Sequence, residues 1–577
     1  MLQALALAAV CGLTFSVGAE DWNPEGVEQH LRAGDIPAAQ RQVAAEYQRL
    51  VQNPCTNAAV IDACDALRLT TLVKLFSAAP WNGPDGATLR GRILDRPDLQ
   101  NALAVTLTSR DQPAQVSAVI ESLGDKLGDT ALSEPQLLTA FACVWDHPPQ
   151  NTWYRTELTP DGIAAAFKRD VAQMPDSERQ RPARVLTFLA YSALSPADWA
   201  YVDQFYTGAR DNPARAYTDI RYDTATFTNG AAKVIDSHAY TLANIRRYGG
   251  VCIEQAYHAR GVCHALGIPA VILAGAGGSG IGHAWMGYLK PGDSGKLTWD
   301  FTVGTTPEGN FTVGEFEDPQ NNTIMTNLEL SAEMPELSLS ADDRRRAAAA
   351  AAVIAAHAQS DTTFSAQVPV WARIAFDMAP THRATWNSLL EYIEKVPGAN
   401  NGQIADIVTV LAKLGHDHPG VMLHYFDRLH DAVEHDGQVF DASLFAQMKA
   451  AVAGNQAGEL EIELRLAQQE ASEGHRDRAC ARLLKIVQTC PRGGIPVLSA
   501  ADELARLWRE DHRDDRVLPM YLDLLAANKL TSRVSAEVMS MTMYFHLSQR
   551  VITEYNRLGR TDNAKALTDE VQKFIGH

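Results

Sequence analysis

Cations are scarce relative to anions in this 577-residue sequence: 51 Lys and Arg stand against 69 Asp and Glu, a formal net charge of −18. Phosphate binding is mainly electrostatic, so this deficit argues against nucleic acid as the main partner. An acidic surface of this kind serves solubility first. Long apolar runs are missing beyond the N-terminus, so no membrane span is expected there. The glycine run Gly275 to Gly282 lacks the phosphate-loop pattern, and no Lys-Ser/Thr pair follows it. His416-Asp417-His418 before Pro419 has no further ligands at recognisable spacing and reads as a surface turn rather than a metal site. No metal and no cofactor are expected.

Charge is also absent from the first nineteen residues. An apolar stretch from Leu5 to Val17 leads into Val17-Gly18-Ala19 and then Glu20-Asp21. Small residues ahead of an acidic start read as a cleaved signal over residues 1–19, although no Lys or Arg precedes the apolar run. A secreted or periplasmic location is therefore expected. Cysteine is sparse, with eight in the chain. Cys55 with Cys64, and Cys480 with Cys490, are near enough in sequence to close small disulfide loops, as export would allow.

Three stretches follow the signal. Residues 20–208 read as an α-helical region, with apolar residues at helical spacing in Ala38–Val51, Ala58–Phe76, Gln100–Leu107, Ala114–Leu123 and Gln136–Trp145. Residues 209–335 differ in texture: glycine becomes dense and strand-like runs appear at Pro269–Leu273, His283–Leu289, Lys296–Val303 and Asn310–Phe316. Pro291-Gly292-Asp293-Ser294-Gly295 supplies a hairpin connection between the second and third. One helix followed by an antiparallel meander is expected, an α+β core. Residues 336–577 are helical again, opening with a cap at Ser340 and Asp343. In both helical regions Gly34, Gly474 and Gly559 are each followed five positions later by alanine, at Ala39, Ala479 and Ala564. A glycine to turn and a small residue for close approach resemble tetratricopeptide-like helix pairs, without a steady 34-residue period. Helical flanks of this kind suit presentation of a substrate or docking of a protein partner.

The chemistry concentrates in Tyr248-Gly249-Gly250-Val251-Cys252-Ile253-Glu254-Gln255-Ala256, which runs on to Gly267-Ile268-Pro269. The glycines make a turn, Cys252 opens a helix, and Gly267 with Pro269 stops it. A thiol at a helix N-terminus faces unpaired N–H groups and the positive end of the dipole, which favour the nucleophilic thiolate. The N–H of Cys252 is a natural oxyanion donor. Gly282-His283-Ala284-Trp285 follows at the start of a strand, and Trp299-Asp300 lies in the next. Adjacent antiparallel strands are expected to set His283 beside Asp300, with Cys252 brought to the other ring nitrogen.

Gly-Val-Cys before a helix, then His-Ala-Trp, then Trp-Asp, resembles the core of the transglutaminase-like superfamily over residues 235 to 305. The resemblance implies a papain-like arrangement in which Cys252 is the nucleophile, His283 the base and acid, and Asp300 the orienter. It implies acyl transfer from protein or peptide amides through a thioester, by a peptidase, an amidase or a cross-linking transferase. Gly250, Gln255, Trp285 and Trp299 are the accompanying candidates for substrate binding or support. Nothing resembles the calcium sites of the animal cross-linking enzymes. Cys263, Cys143, His258 and His264 read as packing residues. The rival expectation is an inert core of the same type inside a helical binding or scaffolding protein.

Overall fold

In the computed structural model of the chain, residues 22–78, 84–147, 158–192, 194–229, 231–276, 282–291, 297–305, 314–396, 398, 401–435, 442–454, 456–530 and 542–574 are described. The signal expected over residues 1–19, the loop 277–281 and the turn 292–296 lie outside them. Helices dominate, and one five-stranded antiparallel sheet sits in the middle of the chain, an α+β arrangement. Among the described residues no helix is long and apolar enough to cross a membrane.

The expected helices form within a few residues of their apolar periods. Thr56 Oγ1 accepts from the Ala59 N–H at 3.1 Å and starts Asn57–Ser77. Ser340 Oγ accepts from the Asp343 N–H at 3.1 Å and starts Ala341–Ser360, as capping chemistry dictates. Gly34, Gly474 and Gly559 all adopt positive φ. Each joins two helices: Pro24–Ala33 to Ile36–Gln52, Gln456–Ser472 to Arg476–Thr489, and Met543–Arg557 to Thr561–Phe574. Ala39, Ala479 and Ala564 are buried, where a larger side chain would push the paired helices apart.

The strands are β1 (Ala270–Ala276), β2 (Gly282–Pro291), β3 (Leu297–Val303), β4 (Glu315–Glu317) and β5 (Ile324–Thr326). Their order is β3-β2-β1-β4-β5. The meander is therefore real for β1 to β3, but β4 crosses back to pair with the outer edge of β1, where Ala274 faces Glu315. Three-residue strands such as β5 are too short to carry an alternation, which is why the sequence did not announce it.

Alternation along the sheet sends its side chains to two different layers. Ala270, Ala284 and Met286 pack with Ala256, Ala259 and Cys263 of the helix Cys252–Ala265. Val271, Leu273, Trp285, Leu289 and Trp299 pack the opposite way. There they meet Val185 and Phe188 of the helix Ala183–Ala190, and Leu330 and Met334 of the helix Asn327–Leu337.

The expected disulfides are absent: Cys55, Cys64, Cys143, Cys252, Cys263, Cys480 and Cys490 are all free thiols. Cys480 lies near the start of Arg476–Thr489 and Cys490 caps its end. Ten residues of helix span ~15 Å, and disulfide Cα atoms sit no more than about 7 Å apart. Cys55 and Cys64 are separated similarly by the first two turns of Asn57–Ser77.

Candidate active site

Cys252 is the first residue of its helix, reached through Gly249 and Gly250. Gly249 has φ +81°, and a Cβ there would stand 2.5 Å from the Arg221 carbonyl oxygen. Gly250 N–H donates to that same oxygen at 3.1 Å, and its carbonyl accepts from Asp223 N–H at 2.8 Å. A Cβ at Gly250 would collide with Glu254. The double glycine is thus needed to bring the chain past the Arg221–Asp223 strand-like segment and under Glu254. Gly250 supports the helix start rather than a substrate.

Glu254 is a residue that the sequence did not single out. Its carboxylate is almost wholly buried and accepts from the Val251 N–H at 2.8 Å, Lys233 Nζ at 2.7 Å and Tyr240 Oη at 3.2 Å. It closes the first turn and anchors the segment carrying Lys233. Gln255 Nε2 donates to the Ile220 carbonyl at 3.0 Å. Its amide is a tie to the preceding loop and not an oxyanion donor.

The Cys252 thiol faces backbone N–H groups of Ala284, Ile253 and Cys252 itself. Burial pushes its pKa above the ordinary value, and those N–H groups offset part of the rise. Ala284 directly follows His283 on β2. Its carbonyl accepts from Tyr217 Oη at 3.0 Å, and the Cys252 sulfur also lies close enough to Tyr217 for electrostatic interaction. The Tyr217 ring packs so tightly on Gly304 that a Cβ at Gly304 would penetrate it. Gly304 in turn accepts a hydrogen bond from His283 Nε2 at 2.7 Å. Cys252, Tyr217, Gly304 and His283 therefore form one contiguous group at the open end of β2.

A carbonyl can only accept, so the His283–Gly304 bond puts the proton on Nε2 and leaves the Nδ1 lone pair as the basic site. Burial lowers the His283 pKa, and Gly304 opposes this. The ring stacks on Trp285, on the strand parity that points away from the Cys252 helix. The polar contacts of the thiol are with backbone N–H groups.

Asp300 departs from its expected place. The β2–β3 register sets it opposite Tyr288, five residues along β2 from His283, or ~17 Å of strand. Its carboxylate accepts from Lys290 Nζ at 2.8 Å, and from the N–H and Oγ1 of Thr302 at 2.9 and 2.6 Å. Burial pushes its pKa up, but Lys290 and Thr302 outweigh this and hold it below the usual carboxylate value. The hairpin register, with Pro291 opposite Leu297, sets the expected partners apart, and the one-residue shift between the Met286 and Tyr288 pairs is too small to account for it. The orienting acceptor for the imidazole is the Gly304 carbonyl. A backbone oxygen has no residue signature, so no sequence pattern could have pointed to it.

Trp285 and Trp299 take a supporting place in the core. Both are buried in the layer on the far side of the sheet, where Phe188 meets Trp299 edge to face at 5.4 Å. They are core residues. His258 and His264 are core histidines, and both ring nitrogens of His258 are hydrogen-bonded. His258 Nδ1 donates to the Ala216 carbonyl at 2.9 Å while Tyr201 Oη donates to Nε2 at 3.0 Å, and burial lowers its pKa to about 4. Among the described residues no group of three or more His, Cys, Asp or Glu side chains is placed to hold a metal.

The arrangement makes a sharp prediction for Gly304. Ala at φ +91° is strained, and its methyl would strike Tyr217. Gly304→Ala should cost ~2–4 kcal/mol of stability, read from the urea unfolding midpoint, and should shift the His283 ring resonances. An unchanged midpoint would show that Tyr217 yields freely.

No family model, curated protein or solved structure matches the chain.

Proposed function

We propose that the chain is an exported cysteine-dependent acyl-transfer enzyme of transglutaminase-like type, acting on protein or peptide amides. The observation that carries this reading is the thiol at the first residue of its helix, held by the N–H of the residue that follows a histidine whose Nε2 is committed elsewhere. Cys252 Sγ attacks the amide carbonyl as its proton passes to His283 Nδ1. The N–H groups of Cys252 and Ala284 lie where an oxyanion would need donors. The imidazolium returns the proton to the leaving amine, which departs as the thioester forms. Water or a second amine then resolves the thioester and frees the thiol. Water requires no second site, so hydrolysis is favoured over cross-linking.

Burial raises the thiol and lowers the imidazole, so both favour a neutral resting pair. The thiolate is then generated as the proton moves and not stored beforehand, and sulfur and ring close their remaining gap when substrate binds, as catalytic hydrogen bonds often do. Wild type and Cys252→Ala should be compared on a fluorogenic peptide library, with and without a primary-amine acceptor. Cys252-dependent release with a thioester mass on the Cys252 peptide is the expected result. Absence of turnover, with Cys252 alkylated no faster than Cys490 in the same chain, would sink the proposal.

One observation favours a second reading, an inert core inside a helical binding protein: His283 stacks on Trp285, whose side chain packs on the face of the sheet away from the Cys252 helix. In that case Cys252 alkylation would be unaffected by any change at His283.

A further inference from the structure

The turn between β4 and β5, from Asp318 to Thr323, is fastened to the N-terminal helices at two points. Arg184 grips Asp318 at the first. At the second, Gln320 Nε2 donates to the Thr106 carbonyl at 2.8 Å and to Asp111 Oδ2 at 3.2 Å. Asn322 Nδ2 adds a bond to the His147 carbonyl at 3.3 Å, and Thr108 Oγ1 donates to Asp111 Oδ2 at 2.7 Å. Asp111 lies just ahead of the helix Pro113–Leu127, and Asp146 ends the helix Pro135–Trp145. Asp146 Oδ2 accepts from the N–H of Gln112, the neighbour of Asp111, at 2.6 Å.

Two carboxylates are thus drawn into one site, and both Asp111 and Asp146 are only 3 % exposed. Like charges in a dry site do not both ionise freely, so such a pair keeps a proton that an exposed pair would lose. Among the described residues, the titratable groups facing them are His147, whose Nδ1 meets Asp146 Oδ1, and the Cys143 thiol, which donates to Asp111. Arg184 acts on Cys143 from the helix Ala183–Ala190 but is committed to Asp318 and Glu333. His147 neutralises Asp146 and leaves Asp111 to hold the proton. Burial, and after it Asp146, push the Asp111 pKa up to about 7 against the donors from Thr108 and Gln320.

We propose that Asp111, Asp146 and His147 form a pH-sensitive clasp, which holds the β4–β5 turn on the N-terminal helices below neutral pH and loosens it as pH rises. Once the clasp is open, water reaches Asp111 and its proton leaves near pH ~4. The closed clasp keeps that proton up to about 7, so rising pH favours the open form across the interval. His147 works in the same direction. Its bond to Asp146 raises its pKa, so its hold is complete below the ordinary imidazole value and lost as pH rises through the raised one. Burial pushes the Asp318 pKa up, but Arg184 outweighs this and holds it low, so the first fastening stays closed throughout. The turn leads back along β4 to Gly314, where a Cβ would stand 2.5 Å from the Trp285 ring, and Trp285 stacks on His283. Loosening therefore reaches the back of the His283 ring, yet the clasp stands or falls separately from the acyl-transfer reading.

The test is amide hydrogen exchange of the full chain at pH ~6 and ~8, read by peptide mass spectrometry and corrected for the intrinsic exchange rate. Protection of the β4–β5 hairpin should fall about tenfold between the two, the ratio that one proton held up to about 7 gives. The helix Ile495–Glu510, remote in the C-terminal core, should keep its protection. Asp111→Asn has no carboxyl to ionise and should remove most of the dependence, and His147→Gln a smaller part. The wild-type comparison does not depend on any variant folding. Equal hairpin protection at both pH values, or a fall shared equally by Ile495–Glu510, would overturn the proposal. So would an Asp111→Asn protein whose hairpin keeps the full wild-type dependence.

Discussion

His283→Ala is expected to slow Cys252-dependent acyl transfer by ~10²–10⁴-fold, the usual worth of a positioned general base, while Asp300→Ala changes it by less than about fivefold. The contrast follows from where the two side chains stand. His283 precedes Ala284, whose N–H faces the thiol, and it keeps an unprotonated Nδ1 because Nε2 donates to Gly304. Asp300 serves Lys290 and Thr302 at the other end of the strand pair, and a partly exposed ion pair of that kind is worth ~1 kcal/mol or less. The pH profile should match. His283 must be neutral to accept the proton, and burial holds its pKa below the ordinary imidazole value. The rate is therefore present above that lowered value and lost as pH falls through it. Burial raises the Cys252 pKa above the ordinary thiol value, so spontaneous thiolate adds reactivity only on the alkaline side. Single-turnover acylation of the wild type and both variants across pH checks all three statements. A loss in Asp300→Ala as large as that in His283→Ala would restore the side-chain triad and require β3 to shift its register.

What the sequence revealed was local. Gly249-Gly250 before Cys252 announced a helix start, and the start is there with the thiol on its first residue. Gly34, Gly474 and Gly559 announced turns between helices, and each takes positive φ with a buried alanine following. These signals hold because a cap or a left-handed turn is decided within a few residues. The pairing of His283 with Asp300 was not local. It required the hairpin register, and with Pro291 opposite Leu297 the residue that faces Asp300 is Tyr288. The same limit applies to Glu254, whose partner Lys233 lies 21 residues away in sequence. It applies also to the disulfides, where closeness along the chain was contradicted by the length of a helix.

A long-range charge cluster carries the second large effect. Arg184→Met is expected to destabilise the protein by about 3–5 kcal/mol, the cost of stranding a buried charge. Arg184 stands in the helix Ala183–Ala190, just ahead of the region that holds the sheet. Its guanidinium donates to both oxygens of Asp318, at 2.6 and 3.0 Å, and from Nε to Glu333 at 3.0 Å. Asp318 is fully buried. Arg383, from the C-terminal helices, reaches Glu333 at 3.1 Å and Asp318 at 3.7 Å. One cluster thus ties the N-terminal helices, the sheet region and the C-terminal helices together. Burial pushes the Asp318 pKa up, but the two arginines outweigh it and hold it below its ordinary value. Its stabilising contribution is therefore present above the unfolded carboxylate pKa and lost as pH falls through the lower folded one. Without Arg184 the sign reverses, because burial then dominates: the variant's deficit should be largest at neutral pH and shrink towards pH ~4 as Asp318 takes up a proton. Adding Asp318→Asn should recover part of the loss, since it removes the stranded charge. Arg373→Ala breaks an exposed pair with Asp377 and should cost less than about 0.5 kcal/mol. Urea unfolding of the four proteins at neutral and acid pH reads these differences directly. A deficit in Arg184→Met that is no larger than that of Arg373→Ala, or that does not change with pH, would mean that Arg383 alone neutralises the cluster.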